Sequence, residues 1–198
     1  MIHIPPNSDF SIHNLPFGIF STQGSAPKVG IAVGAHILDL TALSRCHKFD
    51  FDSSVFQKPF LNDFISLGKE KTVQLRKDIQ SWIKDKNSVL YHNKDLFVSQ
   101  ADSKMHLPVR VGDYTDFYSS LEHATNVGKM FRDPKNALLP NWKHIPVAYH
   151  GRASSIIPSG QSIFRPKGQV VPIGATQPVY QPTESLDFEL EMAYIIGK

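Results

Sequence analysis

The chain has 198 residues, 41% of them hydrophobic and 20% charged, with a formal net charge of +3 and nine histidines. That length buries a sizeable core, and the composition is that of an ordinary globular protein. The basic residues are interspersed with acidic ones, which excludes the concentrated Arg/Lys footprint of a nucleic-acid binder. Cys46 is the single cysteine, so no intrachain disulfide forms and a reducing, cytoplasmic setting is expected. No run approaches the roughly 18 apolar residues of a membrane span, and the start Met1-Ile2-His3-Ile4-Pro5-Pro6 lacks the pattern of a secretory signal.

In chain order, residues 17–40 read as β structure. Val29-Gly30-Ile31-Ala32-Val33 and His36-Ile37-Leu38-Asp39-Leu40 are β-rich runs separated by Gly34-Ala35, a two-residue hairpin turn. Residues 61–86 read as helical, with Gly68 separating a short helix from a longer one. Leu75, Ile79, Trp82 and Ile83 fall at helical spacing, while Lys71, Arg76, Lys77, Lys84 and Asp85 occupy the other faces. A short strand is expected over 88–92. From Met105 onward the chain grows dense in Gly, Pro, Tyr, His and Ser, and two domains are expected, 1–104 and 105–198. The fold class is mainly β with some α, fourteen prolines and twelve glycines marking many turns.

Two stretches look chemical. In Asp113-Tyr114-Thr115-Asp116-Phe117-Tyr118-Ser119-Ser120-Leu121-Glu122-His123, Ser119 and Glu122 have the spacing of a capping box, so a helix starts at Ser119 or Ser120. Ala124, Val127 and Phe131 then recur on its buried face. His123 falls in its first turn, where the positive end of the helix dipole disfavours imidazolium, and a neutral histidine can accept a proton as a general base. A surface histidine is the plainer alternative. Asp116, in a Tyr-rich loop, suits an oxygen ligand or a cap. Arg132, at the helix end, suits the last helical carbonyls or a substrate carboxylate. Tyr118 and Tyr149 suit core packing or hydroxyl donation.

The second stretch is Leu186-Asp187-Phe188-Glu189-Leu190-Glu191-Met192. Strand alternation places Asp187, Glu189 and Glu191 on one face, roughly 6.5–7 Å between neighbours. Three like charges in a row repel, and a hard divalent cation such as Ca²⁺ or Mg²⁺ relieves that repulsion. A half-buried amphipathic strand with a solvated acidic face explains the same pattern.

Taken together, 113–120, His123-Ala124-Thr125-Asn126-Val127-Gly128, Met130-Phe131-Arg132, 136–142, Tyr149-His150-Gly151-Arg152-Ala153-Ser154-Ser155 and 186–192 resemble the signature of the fumarylacetoacetase family. Asn14-Leu15-Pro16-Phe17-Gly18 and Phe20-Ser21-Thr22 resemble its start. The resemblance implies an SH3-like β-barrel followed by the beginning of a β-rich catalytic domain. It implies hydrolysis of a carbon–carbon bond of fumarylacetoacetate to fumarate and acetoacetate, the last step of tyrosine and phenylalanine breakdown. Asp116, Glu189 and Glu191 would bind Ca²⁺ or Mg²⁺, His123 would activate water, and Tyr118, Arg132 and Tyr149 would hold the substrate. A homodimer is implied for the full-length enzyme, with no nucleic-acid or membrane partner. Family members continue for about as many residues again, with a further aspartate ligand, a lysine and a glutamate. A fragment of a longer enzyme, a truncated non-catalytic product, and a related acylpyruvate hydrolase or decarboxylase are the readings this leaves.

Overall fold

The computed structural model describes residues 3–186 and 188–198. Nine strands among the described residues form three antiparallel sheets, and the chain is mainly β with few α-helices. It divides into two compact units, one comprising 1–108 with 158–198 and the other comprising 109–157.

In the first unit, β1 (Phe17–Ser21), β2 (Lys28–Val33) and β3 (His36–Asp39) form a meander. Phe17 faces Ile31 and Val33 faces His36, so the β2–β3 turn is the two residues Gly34-Ala35. Gly34 has φ of 56°, the left-handed conformation that a type II′ hairpin asks of its first central residue. Asp39 then caps α1 (Leu40–Cys46) by accepting from the Ala42 N–H at 2.9 Å. Its other oxygen pairs with Lys28 Nζ at 2.7 Å, so this buried carboxylate is fully engaged.

Short α2 (Asn62–Ile65) and long α3 (Lys69–Lys84) follow, with Gly68 between them as expected. Leu75, Ile79 and Ile83 form the buried face of α3. Trp82 is half-buried with its ring edge-on to His47 at 4.5 Å. Arg76 and Gln80 donate to the Leu15 and Ile12 carbonyls, tying the helix to the segment ahead of β1.

The strand expected over 88–92 is instead one helical turn, α4 (Val89–His92). The cause is Ser88: its Oγ accepts from the Tyr91 N–H and donates to the Trp82 carbonyl at 2.6 Å. A local side-chain partner for the free amide competes with strand pairing.

The sheet is completed by β4 (Phe97–Ser99) and β5 (Lys104–His106), in the order β4-β3-β2-β1-β5. Its two edge strands are therefore consecutive in sequence. In a flat sheet they would stand about 19 Å apart, four spacings of roughly 4.8 Å. The link between them is Gln100–Asp102, a 3-10 turn, plus Ser103, which reaches only about 13 Å. The sheet must curl, and its adjacent buried pairs Ile19-Phe20 and Ile37-Leu38 are covered on both faces. The core lies here: Phe20, Ile31, Leu38, Leu43, Phe56, Leu75 and Ile79 are fully buried.

In the second unit, β6 (Thr115–Phe117) pairs with β7 (Ala148–His150), and α5 (Leu121–Phe131) lies between them in sequence. Of apolar side chains beyond Pro108, only Ala124 and Ala137 are buried among the described residues. Phe131, expected on the buried face of α5, is 80% exposed. Past Pro158, β8 (Lys167–Val170) and β9 (Val179–Pro182) form a two-stranded ribbon.

The strand expected over 186–192 is absent among the described residues; Asp187 lies outside them. Leu186, Phe188, Leu190 and Met192 are exposed, as are Glu189 and Glu191. Alternating chemistry makes a strand only where a neighbouring strand supplies ladder partners, and no sheet among the described residues includes the segment after β9.

Candidate functional site

Five of the seven candidate residues lie in the second unit. The β6–β7 register places Asp116 directly opposite Tyr149, and the Tyr149 hydroxyl donates to Asp116 Oδ2 at 2.7 Å. Backbone bonds extend the ladder at both ends: Tyr118 N–H to the Val147 carbonyl at 2.8 Å, and Gly151 N–H to the Tyr114 carbonyl at 2.9 Å. At Gly151 an added Cβ would meet the Tyr114 ring at 2.1–2.4 Å, so only glycine admits this packing.

Tyr118 is held at four points. Its amide is on the β6–β7 ladder, its carbonyl accepts from the Trp142 indole N–H at 2.9 Å, and its hydroxyl donates to the Ala124 carbonyl at 3.0 Å. Its ring meets His123 edge-on at 5.7 Å between centroids. Ser120, two residues later, is the N-cap of α5 and accepts from the His123 N–H at 3.2 Å. The cap is therefore Ser120, not Ser119, and the third helical position is His123. Glu122 sits at the second position, so the reciprocal bond of a capping box does not form. His123 is in the first turn, as the spacing predicts.

Arg132 is the C-cap of α5, roughly 13–14 Å along the helix axis from His123. Its Nη1 donates to the Ala137 carbonyl at 2.8 Å, a partner beyond the helix rather than one of the last helical carbonyls. The guanidinium thus pins the loop after α5. His150 Nε2 stands 3.3 Å from Asp113 Oδ1 at the exposed end of the ladder.

Glu189 and Glu191 belong to the other unit, in the irregular segment after β9. Ca²⁺ takes six to eight oxygens at about 2.3–2.6 Å. Asp116 has one oxygen on the Tyr149 hydroxyl, and among the described residues no three His, Cys, Asp or Glu side chains group to hold a metal ion. The other carboxylate oxygen of Asp116 is a donor of the kind a hard divalent cation takes. An open depression of about 500 Å³ lies over the end of α1 and the loop to Ser53; none of the candidate residues lines it.

Trp142 is the positioning residue that sequence reasoning left without a role. Its bond to the Tyr118 carbonyl spans 24 positions and depends on how the loop before β7 folds back. Gly151 beside Tyr114 was equally silent. The Asn-Trp pair at 141–142, within the segment resembling the family, was the available signal.

Comparison with known proteins fits this arrangement. A family model described as "Fumarylacetoacetase N-terminal" matches residues 13–108, and one described as "Fumarylacetoacetate (FAA) hydrolase C-terminal" matches residues 113–198. The fumarylacetoacetase of Homo sapiens is 48% identical over 206 residues, covering 99% of this chain and 49% of that protein. Those of Rattus norvegicus and Caenorhabditis elegans are 48% and 45% identical, again over 99% of this chain and 49% of each protein. The chain belongs to the fumarylacetoacetate hydrolase family, a family of hydrolases. It spans about half the length of the curated relatives it matches.

Proposed function

We propose that this chain carries the water-activating part of a fumarylacetoacetase, which hydrolyses 4-fumarylacetoacetate to fumarate and acetoacetate. The observation that supports it is the seating of His123: its amide is capped by Ser120 in the first turn of α5, with the Tyr118 ring against its imidazole. A histidine placed in this way by its backbone and by a neighbouring ring is the group that would take a proton from water.

The oxygen of that water adds to the carbonyl carbon beside the scissile bond. Collapse of the tetrahedral adduct breaks the C–C bond, and its electron pair leaves on the acetoacetate fragment as an enolate. The proton held by His123 returns to that carbon, and fumarate departs as the new carboxyl group gives its remaining proton to solvent. Tyr118, Tyr149 and Arg132 hold the substrate in this reading, setting attack geometry rather than exchanging protons. Asp116, Glu189 and Glu191 would hold Ca²⁺ or Mg²⁺, as the family resemblance implies; their carboxylate oxygens are of the type such ions take, and the ion would polarise the substrate carbonyl.

The SH3-like character of the N-terminal domain over 1–104, a catalytic domain from 105, a homodimeric whole enzyme and a cytoplasmic location belong to the same proposal. The single cysteine supports the location, and the curled five-stranded sheet supports the barrel. Among the described residues no helix is long and apolar enough to cross a membrane.

A non-catalytic role is the second reading. It is favoured by the scarcity of buried apolar side chains beyond Pro108 among the described residues. Hydrolysis of fumarylacetoacetate by the purified chain, with Ca²⁺ and Mg²⁺ and beside His123→Ala, decides between them. Turnover abolished by the substitution supports the enzyme; a folded chain with no turnover above the variant supports the second reading.

A further inference from the structure

We infer that the loop before β7 forms an anion-binding subsite that takes a small carboxylate through Lys143 and His144. Residues 141–147 turn back on themselves, with the His144 and Ile145 amides both donating to the Asn141 carbonyl. Two bonds then fasten this turn across the start of α5: Trp142 Nε1–H to the Tyr118 carbonyl, and Tyr118 N–H to the Val147 carbonyl. Between these two fastenings lies an open depression of about 270 Å³, lined by Tyr118, Ser119, Trp142, Lys143, His144 and Val147 among others.

The charge of the walls selects the ligand. No acidic side chain lines the depression; its ionisable walls besides Tyr118 are Lys143 and His144. Neither makes an ion pair or side-chain hydrogen bond among the described residues. Ser119 adds a hydroxyl and immediately precedes the N-cap of the 11-residue α5, whose dipole adds positive potential. Glu122, in the first turn of α5, is not part of the wall.

Size narrows the class. The depression holds far more than one water, whose share of liquid volume is about 30 Å³. It falls below the roughly 300–1,000 Å³ of pockets for drug-sized ligands. A short-chain carboxylic acid fits, with Ile145, Pro146 and Val147 against its carbon chain. The subsite shares Tyr118 with the proposed catalytic site, so it would hold one carboxylate end of the keto acid; that assignment rests on the hydrolase reading.

The test is a titration of the isotope-labelled chain with sodium fumarate, followed through its amide resonances. The expected result is saturable shifts at Tyr118, Ser119 and 142–147. Affinity should fall about tenfold in Lys143→Gln, the loss of one charge-assisted contact, and stay unchanged in Lys135→Gln, which lies off the depression. Both lysines are exposed, so neither variant threatens folding. Equal affinity in Lys143→Gln, shifts confined to other residues, or no saturable binding would overturn the subsite. Turnover lost in His123→Ala with fumarate binding gone from the wild-type chain counts against the subsite alone. Fumarate binding at these residues in a chain without turnover counts against the hydrolase reading alone.

Discussion

Tyr149 and Asp116 face each other across the β6–β7 ladder, joined by a 2.7 Å bond from phenol to carboxylate. The residue proposed to hold substrate thus occupies an oxygen of the residue proposed to hold metal. Tyr149→Phe should free that oxygen. A double-mutant cycle of Tyr149→Phe with Asp116→Ala, read by urea denaturation, should give a coupling of about 0.5–1 kcal/mol, at the low end because the pair is partly exposed. If Asp116 ligates a cation, calorimetric titration should show Tyr149→Phe binding Ca²⁺ more tightly than the parent chain.

Asp39 anchors the core sheet to α1 with both oxygens. Asp39→Ala removes the helix cap and strands the Lys28 ammonium, with an expected cost of about 2–4 kcal/mol. Asp39→Asn keeps a capping oxygen and loses only the ion pair, so it should cost roughly half as much. Urea denaturation of the two variants checks both the size and the order; equal losses would mean that the cap contributes little.

Gly151→Ala should destabilise the second unit by about 1–3 kcal/mol, since its methyl group meets the Tyr114 ring. Tyr114→Ala should relieve that clash, so the double variant should be less destabilised than the two single losses summed. Hydrogen exchange at the Tyr118 and Gly151 amides reports the unit directly.

Asp52 accepts from the Ser54 backbone N–H and, on its other oxygen, from the Ser54 hydroxyl. The backbone bond chiefly, then the hydroxyl, holds its carboxyl below the ordinary value of 3.8, with Lys58 adding a smaller attraction. A depressed carboxyl favours the fold above its unfolded pKa and loses that contribution as pH falls through the folded one. A carboxyl-carbon NMR titration should therefore place Asp52 below the ordinary value, and Ser54→Ala should move it up.

The hairpin and the α2–α3 pair were legible because their signals are local. Gly34-Ala35 sets one turn, Gly68 separates the helices, and Leu75, Ile79 and Ile83 repeat every turn. His123 in a first turn was legible for the same reason. The strand at 186–192 was not, because alternation marks two faces and says nothing about whether a neighbour exists to pair with. Nor was the helical turn at 88–92, where one serine hydroxyl outweighed β-rich composition. Pairing Asp116 with Tyr149 required the register of strands separated by 30 residues and a helix, which no local pattern encodes.

The order β4-β3-β2-β1-β5 also has a history written into it. Ser21 on β1 meets its outer partner His106 on β5 only across 85 positions of sequence. At about 5–20 residues added per second, a nascent chain carries one bare β1 edge for roughly 4–17 s after that strand is made. The helices between are made in that interval, so a chaperone that shields strand edges would meet this protein during synthesis, before β5 closes the sheet.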